Sequence, residues 1–138
     1  MVRIFKLVAF TLLVAILGGC SGLQNLGKSP EEIVSMKAED RWRALIEGDL
    51  ERAYGYFTPA YRKIHSLDSY RRRIKGVGFW KNVKIESAEC EAEHCKIEAR
   101  VYATFMVPPM TRPMDTQEVF KEGWVFNKQE NNWFFSAK

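Results

Sequence analysis

The spacing of apolar residues changes once along this chain, and that change constrains the fold more than any other feature. Before the Gly76–Gly78 segment, apolar side chains recur every three or four residues, as at Val34, Ala38 and Leu45, which is the spacing of one buried helix face. Beyond it, apolar and polar residues alternate with a period of two, which is typical of half-buried strands. The sequence therefore predicts an α+β fold in which helices pack on one face of an antiparallel sheet.

The first part of the domain predicts three helices. The first begins at a capping box on Ser29 and ends at Gly48. Asp49 caps a second, shorter helix, which ends at Thr58–Pro59 because the residue before a proline avoids the helical region. The third helix is predicted over Leu67–Lys75.

The second part predicts about four antiparallel strands. The prolines of Pro108–Pro113 exclude that segment from any strand, so it is expected to be a loop. Gly123 lies inside the third strand and predicts a bulge or a sharp bend. The four predicted strands are Lys81–Cys90, Lys96–Val107, Thr116–Asn127 and Trp133–Ala137.

The N-terminus has the anatomy of a secretory signal peptide. Its uncharged run, Leu7–Leu17, would span about 16 Å as a helix, which is too short to cross a bilayer. Leu17-Gly18-Gly19-Cys20 resembles the lipobox of bacterial lipoproteins, in which the cysteine is acylated and becomes the new N-terminus. The resemblance implies a signal peptide over residues 1–19 and a lipidated N-terminus and tether over 20–29. The predicted α+β domain then occupies residues 30–138. The alternative is an ordinary signal peptide with an unrelated cysteine nearby.

Such a lipoprotein has the membrane as its first partner, because two or more acyl chains give stable anchoring. Ser21, and not Asp, follows Cys20, which by analogy with enterobacterial sorting favours the periplasmic face of the outer membrane over the inner membrane. Loss of Arg3 and Lys6 with the signal peptide lowers the formal net charge by two from +4. An exported chain that is nearly balanced in charge is not predicted to bind nucleic acid.

Cys90 and Cys95 are the cysteines that remain once Cys20 is acylated, and an oxidising compartment permits a disulfide between them. Four residues separate them between two predicted strands, so a four-residue hairpin loop is expected to place them opposite one another. The alternative is a metal site that uses both thiolates and His94, but it lacks a fourth ligand. We therefore predict a structural disulfide, with no metal and no cofactor.

Two segments, Glu47–Tyr54 and Phe57–Arg62, combine a Gly-Asp corner, a short helix with an aromatic residue, and Ser/Thr-Pro-x-Tyr-Arg. This pattern resembles the nuclear transport factor 2-like superfamily. The resemblance implies a cone in which a strongly bent sheet wraps on the long helix, with a pocket at its open end. The candidate pocket residues are Trp42, Tyr102 and Trp124. Because domains of this superfamily often dimerise through the sheet, a homodimer is one expected assembly.

Enzymes of the superfamily use Asp, Tyr and His side chains in the cone pocket, which implies proton transfer as in an isomerase or a dehydratase. The alternative is that the aromatic residues belong to the core and present only a hydroxyl group to water. The candidate catalytic residues are Tyr54, Tyr61, His65 and Asp68, together with Tyr56 and Tyr70.

Positive charge is concentrated around the third predicted helix. Such a surface could face anionic lipid headgroups, lipopolysaccharide phosphates or an acidic cell-wall polymer. The alternative is a solvated helix face, because three consecutive arginines point in different directions on a helix. The residues are Arg62, Lys63, Arg71, Arg72, Arg73 and Lys75.

Two classes of function follow. The first is a lipid-anchored lipoprotein of the bacterial cell envelope that serves as a binding or accessory module, with an envelope protein, an anionic lipid or a cell-wall polymer as partner. The second is an enzyme of the isomerase or dehydratase type. An enzyme needs an ionisable group deep in an apolar pocket, whereas binding needs only an open aromatic pocket. The lining of the pocket therefore decides between them.

Overall fold

Four helices precede four strands in the computed structural model, which describes residues 27–106, 108–109 and 111–137. The α+β class and the four-stranded antiparallel sheet are as the sequence predicts. The helices are α1 (Pro30–Glu47), α2 (Leu50–Gly55), α3 (Pro59–Ile64) and α4 (Leu67–Arg73). The strands are β1 (Trp80–Glu91), β2 (His94–Phe105), β3 (Met114–Asn127) and β4 (Asn132–Ser136).

Helix α1 is capped at both ends, as the sequence predicts. Ser29 Oγ accepts a hydrogen bond from the backbone N–H of Glu32 at 3.3 Å, and the Glu32 carboxylate accepts one from the Ser29 N–H at 2.8 Å. At the other end, Gly48 adopts the left-handed conformation with a φ of 78°, which costs glycine little. The caps satisfy backbone groups that the helix itself leaves without partners.

The described residues contain four helices where three are predicted, because Thr58 and Pro59 have two roles. They follow α2, as expected, and they also begin α3. Thr58 Oγ1 accepts a hydrogen bond from the Tyr61 N–H at 3.1 Å, and Pro59 occupies the first turn, where its missing N–H costs nothing. The last helix ends at Arg73, two residues before the predicted end, with Ile74 as its C-cap.

The sheet is a meander in which each strand pairs with the next, in the order β1-β2-β3-β4. The β1–β2 turn is shorter than the predicted four-residue loop, because Glu91 pairs with His94 and leaves only Ala92 and Glu93 between the strands. Ala92 takes a positive φ of 51° there, a conformation that two-residue hairpin turns commonly require. The prediction therefore differs from the structure in the type of turn. A glycine at position 92 would have indicated the two-residue turn, but the residue there is alanine.

Irregular pairing occurs in β1, and not at Gly123, where a bulge or bend is predicted. The register of β1 against β2 shifts between Trp80 and Asn82 and again between Ile85 and Ser87. Gly123 pairs in regular register with its described neighbours on both sides. These shifts are of the kind that bends a strand and increases its twist.

Strand β4 covers only part of β3. It pairs with Gly123–Asn127, whereas the preceding residues, Met114–Glu122, pair with β2 on one side and with no described strand on the other. An edge of this kind presents open backbone N–H and C=O groups. The first half of β3 is therefore accessible along one edge.

The core lies between α1 and one face of the sheet. Alternate residues of β2 from Cys95 to Val101 are buried, and the residues between them are not, which is the alternation predicted for a half-buried strand. Trp42 of α1 joins the two layers, since its ring lies 5.2 Å from that of Trp80 and 4.9 Å from that of Phe120. Aromatic packing therefore holds α1 against the start of β1 and the middle of β3.

The described part of the chain begins at Gly27. The signal peptide, the acylation of Cys20 and most of the tether lie outside it and stay predictions. Within the described residues, no helix is long and apolar enough to cross a membrane.

Candidate ligand-binding groove

A groove of about 400 Å³ lies where β1 and β3 begin and β2 ends. Its floor belongs to β2, and its two walls belong to the segment before β1 and to the first half of β3. The floor residues are Val101, Ala103 and Phe105; the walls are formed by Gly76, Phe79 and Trp80 on one side and by Thr116, Gln117, Glu118 and Phe120 on the other.

The floor of the groove is apolar, and so is the part of its rim near Phe105, whereas Thr116, Gln117 and Glu118 make one wall partly polar. Glu118 is the one acidic or basic residue in its lining. Phe105 pairs with Met114 in the sheet, and Met106 follows it in the chain. Both methionines and Phe79 are exposed. Exposed methionines beside an aromatic groove give a surface that adapts to apolar ligands.

Gly76 allows the indole of Trp80 to form its wall. It adopts a positive φ of 94°, and a Cβ at this position would overlap the Trp80 ring. The Trp80 ring packs edge-on against Trp42, and Phe79 packs edge-on against Phe105, with 6.2 Å between the ring centres. The shape of the groove therefore depends on one residue without a side chain.

A buried ion pair connects α1 to β3. Arg41 Nη1 donates to Glu122 Oε1 at 2.7 Å, and both residues are only 6% exposed. The other carboxylate oxygen accepts from Trp124 Nε1 at 3.1 Å, and the guanidinium Cζ lies 3.8 Å from the centre of the Phe135 ring. The sequence pattern did not single out either charge. The signal was present, however, because Glu122 shares the alternation of Phe120 and Trp124 and so must face inward.

Three candidate catalytic residues belong to an aromatic cluster that does not line the groove. Tyr61 stacks on Phe57 with 4.1 Å between ring centres, and His65 lies 4.5 Å from Tyr61. Tyr54 Oη donates to the backbone carbonyl oxygens of Arg62, at 3.2 Å, and His65, at 2.5 Å. These contacts hold the end of α3 in place. They agree with the alternative that these aromatic residues have a structural role and not a catalytic one.

The fourth candidate, Asp68, is exposed on α4 and accepts a hydrogen bond from Arg71 at 3.3 Å. It therefore engages a cation and not a tyrosine hydroxyl. Tyr70, two residues later, is buried, and its hydroxyl has no hydrogen-bond partner among the described residues. Burial raises the pKa of Tyr70, while the positive charge of Arg41 acts in the opposite direction.

A tyrosine–aspartate pair does form, between Tyr56 and Asp40. Tyr56 Oη donates to Asp40 Oδ2 at 2.6 Å. Burial, and then the hydrogen bond to Asp40, raises the pKa of Tyr56 well above its ordinary value. Arg52 Nε lies 3.5 Å from the same carboxylate, and Lys37 lies over the Tyr56 ring at 5.7 Å. The phenol is thus held in its neutral form within a surface charge network.

The three predicted pocket residues do not converge on one cavity. Trp42 and Trp124 are buried in the core. Tyr102 is 36% exposed and lies on the opposite face of β2 from its buried neighbour Val101, because successive residues of a strand point to opposite sides. The residues that line the groove, such as Phe105 and Phe120, were recognised as strand residues but not as a lining.

Cys90 and Cys95 are directly opposed in the β1–β2 register, with 4.0 Å between their Cα atoms, and their sulfurs lie at bonding distance. A disulfide there would remove both thiolates from the alternative metal site with His94. Among the described residues, no group of three or more His, Cys, Asp and Glu side chains is arranged to hold a metal ion.

The predicted basic residues lie on α3, on α4 and just after α4. Five of them are exposed and one is partly buried. The partly buried residue is Arg62, and the exposed ones are Lys63, Arg71, Arg72, Arg73 and Lys75.

No family model and no curated protein matches the sequence of this chain. Among solved structures, its fold is similar to that of a SEC-C motif-containing protein from Rhodopseudomonas palustris. The two share 13% sequence identity, the TM-score is 0.52, and the match covers 73% of each chain. At that level of identity the likeness is one of fold alone.

Proposed function

We propose that this protein is a lipid-anchored lipoprotein of the bacterial cell envelope, with a cone-like domain of the nuclear transport factor 2-like type, and that it binds an apolar ligand in the groove between β1 and β3. The lipobox-like segment Leu17–Cys20 supports the anchor. The opposed Cys90 and Cys95 support export to an oxidising compartment.

The observation that carries the binding function is the chemistry of the groove. Its floor is apolar, each of its two walls contributes at least one aromatic ring, and Glu118 is its single acidic or basic residue. Apolar pockets with a few polar groups at the margin are typical of ligand-binding sites. Phe79 and Phe105 are in part accessible to solvent in the free protein. A ligand that covers them removes apolar surface from water, which favours binding through the hydrophobic effect.

The alternative, an isomerase or dehydratase, has less support. Proton transfer in an apolar pocket needs an acid or base next to the bound substrate. Tyr54, Tyr61 and His65 pack into the α3 cluster, and Asp68 pairs with Arg71. Binding accounts for the groove without a catalytic group, and it is the function that we propose.

The binding function can be tested with the neutral fluorescent probe N-phenyl-1-naphthylamine. Two variants change the groove in opposite ways: Phe105→Ser removes part of its floor, and Ala103→Phe fills it. Each is expected to weaken binding of the probe by about tenfold or more, since a buried aromatic contact is worth about 1.5–3 kcal/mol.

Tyr102→Ser is the matched control, because Tyr102 directly precedes Ala103 in β2 and points to the other face of the strand. It is expected to leave the affinity unchanged. Equal affinity of the probe for the wild type and for both groove variants would exclude the groove as the binding site.

A further inference from the structure

The α3–α4 region is strongly basic, but only one of its cationic side chains is paired with acidic residues. Residues 59–75 contain six Arg or Lys side chains and one acidic residue, Asp68. Arg71 forms ion pairs with two acidic residues: its guanidinium lies 3.3 Å from Asp68 and 3.9 Å from Glu51 of α2. Within the described residues, the other five cations form no ion pair. The uncompensated charge is therefore on α3 and on the end of α4.

Arg73 connects these two helices. Its guanidinium donates to the Tyr61 hydroxyl of α3 at 3.4 Å and to the Ser69 carbonyl at 3.3 Å. Neither acceptor carries a charge, so these hydrogen bonds leave the positive charge of Arg73 uncompensated beside α3. Arg62, Lys63 and Ile64 of α3 and Arg72 and Arg73 of α4 thus belong to two helices that Arg73 joins, and we call this set of residues the basic corner.

Ile64 is the unusual member of the basic corner. It is 77% exposed, more than any other large apolar residue that the structure describes. The fold imposes this exposure, because Tyr61 stacks on Phe57 and the Tyr54 hydroxyl binds the carbonyl groups on either side of Ile64. The opposite side of α3 is thus held against the domain, and Ile64 cannot turn inward.

We propose that the basic corner docks on an anionic phospholipid bilayer, with Ile64 at the level of the headgroups and the surrounding cations on lipid phosphates. Each Lys or Arg close to an anionic surface contributes to binding, and an apolar side chain gains further by entering the interface. A soluble polyanion would satisfy the cations but would leave Ile64 in water. The pairing of an exposed isoleucine with unpaired cations therefore favours a membrane.

This docking rests on the proposed function only in that the lipid anchor would bring the corner within reach of a bilayer. Fully extended, the eight residues between Cys20 and Ser29 span at most about 30 Å. The anchor would restrain the start of α1, and the basic corner would supply a second contact at the α3–α4 turn. Two contacts would fix the orientation of the domain and of its groove relative to the surface.

The test uses the full chain with Cys20→Ser and Ile64→Cys, labelled at residue 64 with the environment-sensitive fluorophore NBD. Vesicles that contain phosphatidylglycerol are expected to shift the NBD emission to shorter wavelength and raise its intensity. Pure phosphatidylcholine vesicles should not, and high salt should reverse the change. The N-terminal segment also carries two cations, Arg3 and Lys6, and can itself bind anionic vesicles, but binding through that segment does not place residue 64 in the interface.

Two matched variants identify the cause. Lys63→Glu with Arg73→Glu is expected to weaken the response by about tenfold or more, since each cation near an anionic surface is worth about 1 kcal/mol. Arg71→Gln, on the same helix but already paired with acids, is expected to have little effect. A label at residue 102, on the exposed face of the sheet, should report no change.

Equal emission at residue 64 with the two vesicle types would overturn the docking. So would a response to the soluble polyanion heparin in the absence of any response to vesicles, which would indicate a polymer-binding surface instead. Either result leaves the acylation of Cys20 and the groove untouched, because neither is measured by the probe at residue 64.

Discussion

Arg41 of α1 and Glu122 of β3 form an ion pair in the core, 81 residues apart in sequence and 2.7 Å apart in space. The pair is shielded from water, and Trp124 completes the hydrogen bonding of the carboxylate. Breaking such a pair leaves an uncompensated buried charge. Glu122→Ala is therefore expected to lower the free energy of unfolding by about 3–5 kcal/mol, measured by urea denaturation.

The exposed pair of Glu39 and Arg43 provides the control, because its side chains are about half exposed. Glu39→Ala should cost only about 0–1 kcal/mol. Replacing both members of the buried pair, as Arg41→Met with Glu122→Leu, should cost less than Glu122→Ala alone. If Glu122→Ala costs no more than Glu39→Ala, the pair does not contribute as its burial suggests.

Gly76→Ala is expected to destabilise the protein and to weaken binding of the apolar probe, because the added Cβ displaces the Trp80 ring from the groove wall. Gly78→Ala is the matched control. Gly78 also has a positive φ, of 92°, but open space around it, so it measures the backbone strain alone. We expect Gly76→Ala to cost about 1–3 kcal/mol more than Gly78→Ala in urea denaturation. Equal costs and equal probe affinities would argue against the role of Trp80.

The Cys90–Cys95 disulfide should leave no titratable thiol on these residues in protein isolated under oxidising conditions. Removing it with Cys90→Ala and Cys95→Ala is expected to lower stability by about 2 kcal/mol, the chain-entropy value for so short a loop. Reductant should shift the unfolding midpoint of the wild type and leave that of the double variant in place. Two reactive thiols in the untreated protein would contradict the pairing.

Tyr56 is expected to make stability fall at high pH. The folded protein holds the phenolic proton more tightly than the unfolded chain, for which the pKa is about 10.0. Its contribution is therefore complete below that pH and is lost as pH rises from there through the higher folded value. Tyr56→Phe should reduce the slope of stability against pH in this range, and Tyr70, whose pKa is also raised, accounts for part of the remainder. An unchanged slope in Tyr56→Phe would show that the hydrogen bond to Asp40 does not hold the proton.

The lipid anchor makes a separate prediction about cells. Cys20→Ser should abolish incorporation of labelled fatty acid and move the protein from membrane to soluble fractions, because stable attachment depends on the acyl chains. Ser21→Ala, next to the modified residue, should retain labelling. Acylation that persists in Cys20→Ser would refute the assignment of Cys20.

The helix and strand pattern was predictable wherever a local rule dominates. The capping box at Ser29 and the terminating Gly48 act within a few residues, and so does the alternation along β2. The extra helix α3 was missed because Thr58–Pro59 fits the end of one helix as well as the start of the next. The two-residue turn was missed because Ala92 carries no preference for a positive φ.

The candidate site was predictable only in its composition. Aromatic residues were expected around a pocket, but Tyr102 faces away from the buried side of β2, and the lining instead comes from Phe79, Phe105 and Phe120. Which strand face meets α1, and where a groove stays open, depends on how the layers are placed against each other. The same holds for Ile64, whose exposure follows from the packing of Tyr54 and Tyr61 on its far side.

The sequence by itself determined the class of fold, the arrangement of helices before strands, and the opposition of Cys90 and Cys95, because each depends on spacing or on near neighbours in the chain. Only the tertiary structure decided that Arg41 meets Glu122, that the groove opens beside the first half of β3, and that one isoleucine stands exposed among unpaired cations. These contacts join residues far apart in the chain, and their free energy depends on burial and on distance. Both arise only when the helices and the sheet pack together.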